Sequence, residues 1–247
     1  MLRGVLFDLW ETLIYDRPER SQPRRAWRTA AVEAVLRENG FEAAAAEISP
    51  VLDAASSALT QLHDQGRDLD AIGRSHLFLD LLDAATGRRA PRQAANALLD
   101  VIAAMPLDLA PRPAPDALAV LRGLKAAGLA IGLVSNAGFT TAPNLRRLLD
   151  HYDLLQSFDV LVFSDEHRVA KPDARIFQAA LDGLGLAASE AAFVGDSPYN
   201  DIAGATSAGL FAVQVGSKAR DGIQPRARIQ DLAELIPTLR DHALLPA

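Results

Sequence analysis

The chain contains no cysteine among its 247 residues, which removes disulfides, thiolate metal sites and cysteine nucleophiles from consideration. Lysine is nearly as scarce: only Lys125, Lys171 and Lys218 occur. A lysine at a meaningful position is therefore harder to dismiss as ordinary surface charge. There is no excess of positive charge either. The net charge is −6, whereas nucleic-acid binding favours a basic surface. No apolar run approaches the roughly 20 residues of a membrane span. The opening MLRGVLFDLW is interrupted by Asp8 too early for a secretory leader. Internal repeats are missing, and the only low-complexity tract is the alanine run 43–46. These absences lead us to expect a soluble cytoplasmic protein without nucleic-acid or membrane partners.

What is present suits a substantial core, since 49% of the residues are hydrophobic. Several short apolar runs end in a polar residue. Val5 to Phe7 lead into Asp8, Ile131 to Val134 into Ser135, and Phe193 and Val194 into Gly195-Asp196. Near-continuous apolar strands followed by helices mark a parallel sheet covered on both faces, whose ligands bind outside the carboxyl ends of its strands. Asp8, Ser135 and Asp196 should therefore meet on one edge. That convergence is the reason to expect an enzyme.

From about residue 116 the pattern alternates. Helices are expected over 116–127, 142–151, 173–184 and 200–208, and strands over 129–134, 159–163, 191–195 and 211–215. Such alternation specifies right-handed βαβ units and a doubly wound α/β sheet. Between the first strand, 4–8, and this region lies a stretch without strand signals. Helices are expected there at 24–39, 49–63, 70–86 and 91–105, and prolines 106, 111, 113 and 115 mark the connector that follows. The expected organisation is a core of residues 1–15 and 111–247 with a helical insertion over 16–110. Trp27 and Phe41 read as core of that insertion, Asp173 as a helix cap, and His167 as a loop residue.

Five segments in order, GVLFDLWETL at 4–13, LVSNAG at 133–138, VAKPD at 169–173, FVGDS at 193–197 and Asp201 beyond, resemble the haloacid dehalogenase-like (HAD) hydrolase superfamily. The resemblance covers nearly the whole chain. It implies a Rossmann-like core and, for an insertion after the first strand, a helical cap of the C1 type. It also implies that Asp8 is a covalent nucleophile. A carboxylate can attack when held in line with an electrophilic phosphorus or carbon, but a phosphate dianion would repel it unless a cation intervenes. Asp196 and Asp201, spaced GDxxxxD, offer the acidic cluster to hold one, and hard oxygen ligands suit Mg²⁺. By resemblance, Asp8, Asp196 and the Trp10 backbone carbonyl are direct ligands, and Asp201 ligates through water or steadies the site. For Asp201 the alternative is a helix N-terminal carboxylate favoured by the helix dipole. The resemblance also casts Ser135 and Asn136 as phosphate donors, though both are common turn residues. Thr12 should orient Asp8 or meet substrate, and Lys171 should present its cation to the nucleophile and the transition-state charge.

One position departs from the family. HAD phosphatases carry a second aspartate two residues after the nucleophile, which protonates the leaving oxygen. Here that position is Trp10, which does no acid–base work near neutral pH, and neighbouring Glu11 should point elsewhere. Three readings remain. The first is a Mg²⁺-dependent phosphatase for a small anionic, phosphorylated metabolite. The second is a metal-independent 2-haloacid dehalogenase, a group with an aromatic residue at this position. The third is a catalytically weak binding protein. Schiff-base phosphonatase chemistry is rejected, because residues 16–110 contain no lysine. Arg17, Arg20, Arg24, Arg25 and Arg28 cluster near the start of the insertion. Most should form a solvated face, with one left to meet an anionic substrate.

Overall fold

The computed structural model describes residues 1–245. Strand β1 (Gly4–Phe7) is buried along its whole length and lies between β4 (Ala130–Ser135) and β6 (Ala191–Gly195). β5 (Val160–Phe163) extends the sheet beyond β4, while β7 (Phe211–Val215) and β8 (Ala227–Ile229) extend it beyond β6. All five pairings are parallel. The chain fills one side of β1 before crossing to the other, which places a topological switch point beside its carboxyl end.

The period of two along β1 shows why both faces need helices. Val5 and Phe7 point into one hydrophobic cluster, with Ile131, Leu133 and Val194. Leu6 points into the other, with Val134, Ile176 and Phe193. α5 (Ala117–Ala126), α6 (Ala142–His151) and α10 (Leu235–Asp241) cover the first face, and α8 (Ala174–Leu184) covers the second. The alternation read from sequence is thus realised as a six-stranded doubly wound sheet.

Residues between β2 (Ile14–Tyr15) and β3 (Arg112–Pro113) form α1 (Pro18–Glu38), α2 (Ala45–Asp64), α3 (Ala71–Thr86) and α4 (Ala95–Ile102). β2 and β3 pair antiparallel, so the helical insertion leaves and returns through one neck. Its own cluster includes Val32, Leu36, Phe41, Ile48, Phe78 and Leu98. Asp70 caps α3 by accepting from the Gly73 N–H at 2.9 Å, and Gly87, at φ 66°, ends it.

Several expectations need correction. α1 starts at Pro18 rather than near 24, because proline fits a first helical turn whatever follows it. The fourth helix of the insertion is shorter than 91–105: a single 3₁₀ turn, Arg92–Ala94, precedes α4. The expected helix 200–208 is a π-helical turn, Pro198–Ala203, running into the short α9 (Gly204–Ser207). His167 ends a short helix, α7 (Ser164–His167), instead of lying in a loop. Trp27 is 37% exposed and is not core. The side of α1 that packs inward instead holds Arg24, Thr29, Val32 and Leu36.

A buried polar bridge joins the insertion to the core. The Arg74 side chain, 0% exposed on α3, donates to the carbonyls of Gly138 at 2.7 Å and Ala137 at 2.9 Å, in the loop after β4. It also pairs with Asp68 at 2.8 Å. Asp68 in turn accepts from the Ser164 hydroxyl at 2.5 Å, where α7 leaves β5. Burial alone would push the Asp68 carboxyl up, but hydrogen bonds and charge from His63, Arg74 and Ser164 outweigh it and hold it below its ordinary value.

Candidate active site

The strand ends bring the expected residues together. Asp8 follows β1 directly, and its N–H donates to the Val194 carbonyl at 2.9 Å, which pins it beside β6. Its carboxylate accepts from Lys171 Nζ at 2.5 Å, and the same ammonium lies 2.8 Å from Asp201. Carboxylate oxygens of Asp8, Asp196 and Asp201 all lie within 4.8 Å of one another. Gly195 makes this possible: a Cβ there would stand 2.5 Å from the Asp201 carboxyl group. Asp201 is also anchored by the Ser197 N–H at 2.9 Å, so it turns back toward the strand end.

Three carboxylates face two ammonium groups, Lys171 and Lys218, which leaves a deficit of one positive charge. Burial, first, and then the Asp201 and Asp196 charges push Asp8 up to about 7 despite Lys171. For Lys171 burial acts downward, but the Asp201 and Asp8 carboxylates outweigh it and raise its pKa above the ordinary lysine value. Burial also raises Asp196, partly offset by an ion pair with Lys218. Lys218 was not anticipated from sequence. Its signal was rarity, since only three lysines exist and this one lies just past β7, on the same edge.

Asn136 uses its side chain to place Lys171. Its amide donates to the Lys171 carbonyl at 3.0 Å and accepts from the Lys171 N–H at 2.8 Å. The side chain is therefore a clamp, and any anion at this turn would meet the Asn136 backbone instead. Ser135 is fully buried at the end of β4, and its hydroxyl makes only a 3.4 Å contact with the Asn136 carbonyl. Thr12 is fully buried. Among the described residues its buried hydroxyl has no hydrogen-bond partner, so it does not hold Asp8 by a direct bond. Asp173 caps α8 as expected, accepting from the Arg175 N–H at 2.9 Å.

The turn carrying Trp10 is closed by hydrogen bonds from Leu13 and Ile14 to the Leu9 carbonyl and from Glu11 to the Ile14 carbonyl. None of these three uses the Trp10 carbonyl. Glu11 adopts φ 56°, the left-handed region, and its carboxylate accepts from the Asp16 N–H at 3.0 Å. It is committed to its own turn. The Trp10 side chain packs on the core and lines a cleft of about 290 Å³ between sheet edge and insertion. Arg24, Arg28 and His63 line it too, with Leu59, Met105, Asn136 and Phe139. Of the five clustered arginines, Arg24 and Arg28 are therefore the two that reach this cleft, one turn apart on α1. His63 lies 3.1 Å from Asp68, at the margin of the buried bridge.

Residues 2–209 match the family model for haloacid dehalogenase-like hydrolases, and the chain belongs to that family; it is a HAD-superfamily hydrolase. It is similar to a phosphoserine phosphatase of Thermus thermophilus, 38% identical over 125 residues, 49% of each chain. It is also similar to (S)-2-haloacid dehalogenase 1 of Pseudomonas sp., 36% identical over 101 residues, 41% of this chain and 43% of the relative. The chain spans about half the length of these curated relatives. In overall fold it is similar to the crystal structure of a HAD phosphatase from Thermococcus onnurineus. That match has a TM-score of 0.67 at 22% identity, covering 96% of this chain and 98% of the other. Among the described residues no helix is long and apolar enough to cross a membrane.

Proposed function

We propose that this hydrolase is a Mg²⁺-dependent phosphatase for a small phosphorylated metabolite, with Asp8 as nucleophile. One observation carries the reading: carboxylate oxygens of Asp8, Asp196 and Asp201 lie within 4.8 Å of one another, three negative charges against the ammonium groups of Lys171 and Lys218. The protein's own cations do not neutralise the cluster, and a further cation would. The donor set fits Mg²⁺, since carboxylate oxygens of the buried Asp8 and Asp201 and the half-buried Asp196 converge and the Trp10 carbonyl is unused by its own turn. When bound, the ion supplies positive charge between these carboxylates and an anionic substrate.

The chain's residues then divide the work. An Asp8 oxygen attacks phosphorus, the ester P–O bond breaks, and the leaving oxygen departs with its electron pair and takes a proton. Water next cleaves the acyl phosphate on Asp8, which releases inorganic phosphate and restores the carboxylate. Lys171 holds the Asp8 carboxylate in place and faces the charge that develops. The Ser135–Asn136 turn offers donors to the phosphoryl oxygens, and Asn136 fixes Lys171. With Trp10 in place of an acid, good leaving groups should react far faster than alkoxides. Losing general-acid assistance costs roughly 10²–10⁴-fold.

A second reading has its own observation. Lys218 pairs with Asp196 and Lys171 with Asp201, so two carboxylates already have protein cations, as a metal-free dehalogenase would require. The two readings separate in one assay. Turnover of an aryl phosphate that stops in EDTA supports the phosphatase. Halide release from 2-chloropropionate in EDTA, without phosphate turnover, would replace it with the dehalogenase.

A further inference from the structure

The cleft beyond Trp10 is cationic in a protein that is acidic overall. Arg24 and Arg28 both reach it from α1, standing one turn apart on the same face. Arg24 is neutralised by Asp16 and also donates to the Leu109 carbonyl at 2.8 Å. Arg28 feels the Asp16 charge only from beyond ion-pair contact. Its Nε donates to the Ile102 carbonyl at 2.8 Å, and its Nη2 reaches the Ala104 carbonyl at 3.4 Å. Both acceptors are neutral, and no carboxylate among the described residues pairs with Arg28. The Phe139 ring, from the loop after β4, lies with its centroid 5.6 Å from the guanidinium carbon.

This arrangement is costly while the cleft is empty. Burial, and then the neighbouring Arg24 charge, push Arg28 down to about 10, although the Asp16 carboxylate acts in the opposite direction. At neutral pH it remains charged, held against its surroundings. An anion in the cleft would relieve that cost. The Nη1 hydrogens take no part in the bonds to Ile102 and Ala104, so a planar edge of donors is left for it. Trp10, Met105 and Phe139 supply apolar walls, and about 290 Å³ admits only a compact group.

We propose that Arg28 is a specificity-determining residue that binds a carboxylate on the leaving group of the substrate, so that the preferred substrates are short-chain phosphomonoesters bearing a carboxylate. The placement of the phosphoryl group at Asp8 rests on the phosphatase reading. The cleft adjoins Asp8 through Trp10 and Asn136, so a leaving group extending from phosphorus enters it. One uncompensated guanidinium matches one carboxylate in charge, and the planar edge suits a bidentate contact. A second phosphate would bring up to two charges to that single free cation.

The test compares probes that differ in a single group. Phosphoglycolate and ethyl phosphate differ only by a carboxylate in place of a methyl group. With Mg²⁺, kcat/KM for phosphoglycolate should exceed that for ethyl phosphate at least about tenfold, the scale of a charge-assisted hydrogen bond. In Arg28→Met, checked for folding by circular dichroism, that ratio should fall below about threefold, with the loss in KM. Arg28→Lys, which keeps the charge but not the planar edge, should lie between. A wild-type ratio near one overturns the proposal whether or not the variants fold. So does a ratio that survives in folded Arg28→Met, or a preference for ethylene glycol bisphosphate over phosphoglycolate. If neither monoester is hydrolysed, the aryl phosphate assay decides the phosphatase reading separately, because both probes leave as alkoxides, and calorimetric binding decides the question of Arg28. Tighter binding of 3-phosphonopropionate than of propylphosphonate, lost in Arg28→Met, would sustain the carboxylate site. Equal binding, or none, would end it.

Discussion

Replacing Asp8 should make the metal-free protein more stable. Asp8 sits among Asp196 and Asp201 with only Lys171 in contact, and its pKa rises from the ordinary 3.8 to about 7, chiefly through burial. A raised carboxyl pKa means that the folded state disfavours the charged form. The cost is absent below the unfolded value, grows as pH rises, and is complete above the folded value. At about 1.4 kcal/mol for each tenfold change, holding Asp8 ionised at pH 8 costs the metal-free fold roughly 4 kcal/mol. Asparagine keeps the shape of the neutral acid without the charge. Asp8→Asn should recover between about half and all of that figure, because water and side-chain relaxation soften buried charges. For a chain of this size the gain is a rise in Tm of about 5–15 °C. Thermal unfolding in EDTA at pH 8 and at pH 4 measures it, and the gap should shrink below about 1 kcal/mol at the lower pH. Adding Mg²⁺ at pH 8 should raise the wild-type Tm more than that of the variant, while the variant has no hydrolase activity. A variant no more stable than wild type at pH 8 without metal would refute the reasoning. A gap that persists at pH 4 would refute it too.

Other outcomes follow from neighbouring residues. EDTA should silence aryl phosphate turnover, and Asp196→Ala should weaken Mg²⁺ affinity by more than about tenfold in calorimetric titration; full activity in EDTA would promote the dehalogenase reading. Trp10→Asp should raise alkyl phosphate turnover more than aryl phosphate turnover, because only the alkoxide needs the proton. An unchanged ratio in a folded variant would show that another group already supplies it. Arg74→Met strands the buried Asp68 charge and should cost about 3–5 kcal/mol in urea denaturation. Because the Asp68 pKa is held down, its stabilisation is present above the ordinary carboxylate range and lost as pH falls through the folded value. Asp68→Asn should therefore destabilise the protein at pH 7, and by progressively less as the pH is lowered below the ordinary carboxylate range.

The strand ends were legible because burial on both faces leaves a simple mark: apolar residues in unbroken runs, with polar residues only where each run stops. Asp8, Ser135 and Asp196 stand out on that pattern alone. Elements without such a run did not announce themselves. β2 and β3 are two residues each and are held by pairing across the neck, and β8 has only Ala227, Arg228 and Ile229. Between Pro198 and Gly204 the chain makes a π turn, and no side-chain period separates that from an α-helix. α1 was hardest to read, because burial there runs against polarity. Arg24 is 5% exposed and Trp27 37%. The partners that let an arginine go inside, Asp16 and the Leu109 carbonyl for Arg24, lie far enough away that no local pattern records them.

That same non-local pairing separates the arginines by role. Arg25 pairs with Asp53 on the surface, and Arg17 lies 3.6 Å from Glu11; exposed pairs of this kind contribute little to stability. Arg24 is buried and satisfied. Arg28 is held beside it by two neutral carbonyls, without an ion-pair partner among the described residues, and lines the cleft that Trp10 walls. Composition treats the five arginines as one basic cluster, yet of the two that reach the cleft only Arg28 has no ion-pair partner among the described residues. A carboxylate-bearing leaving group would meet Arg28 at one end while its phosphoryl group sits at Asp8. The binding energy gained at Arg28 can help hold the reacting phosphorus in line, and that contribution matters most in a site where Trp10 has displaced the usual proton donor.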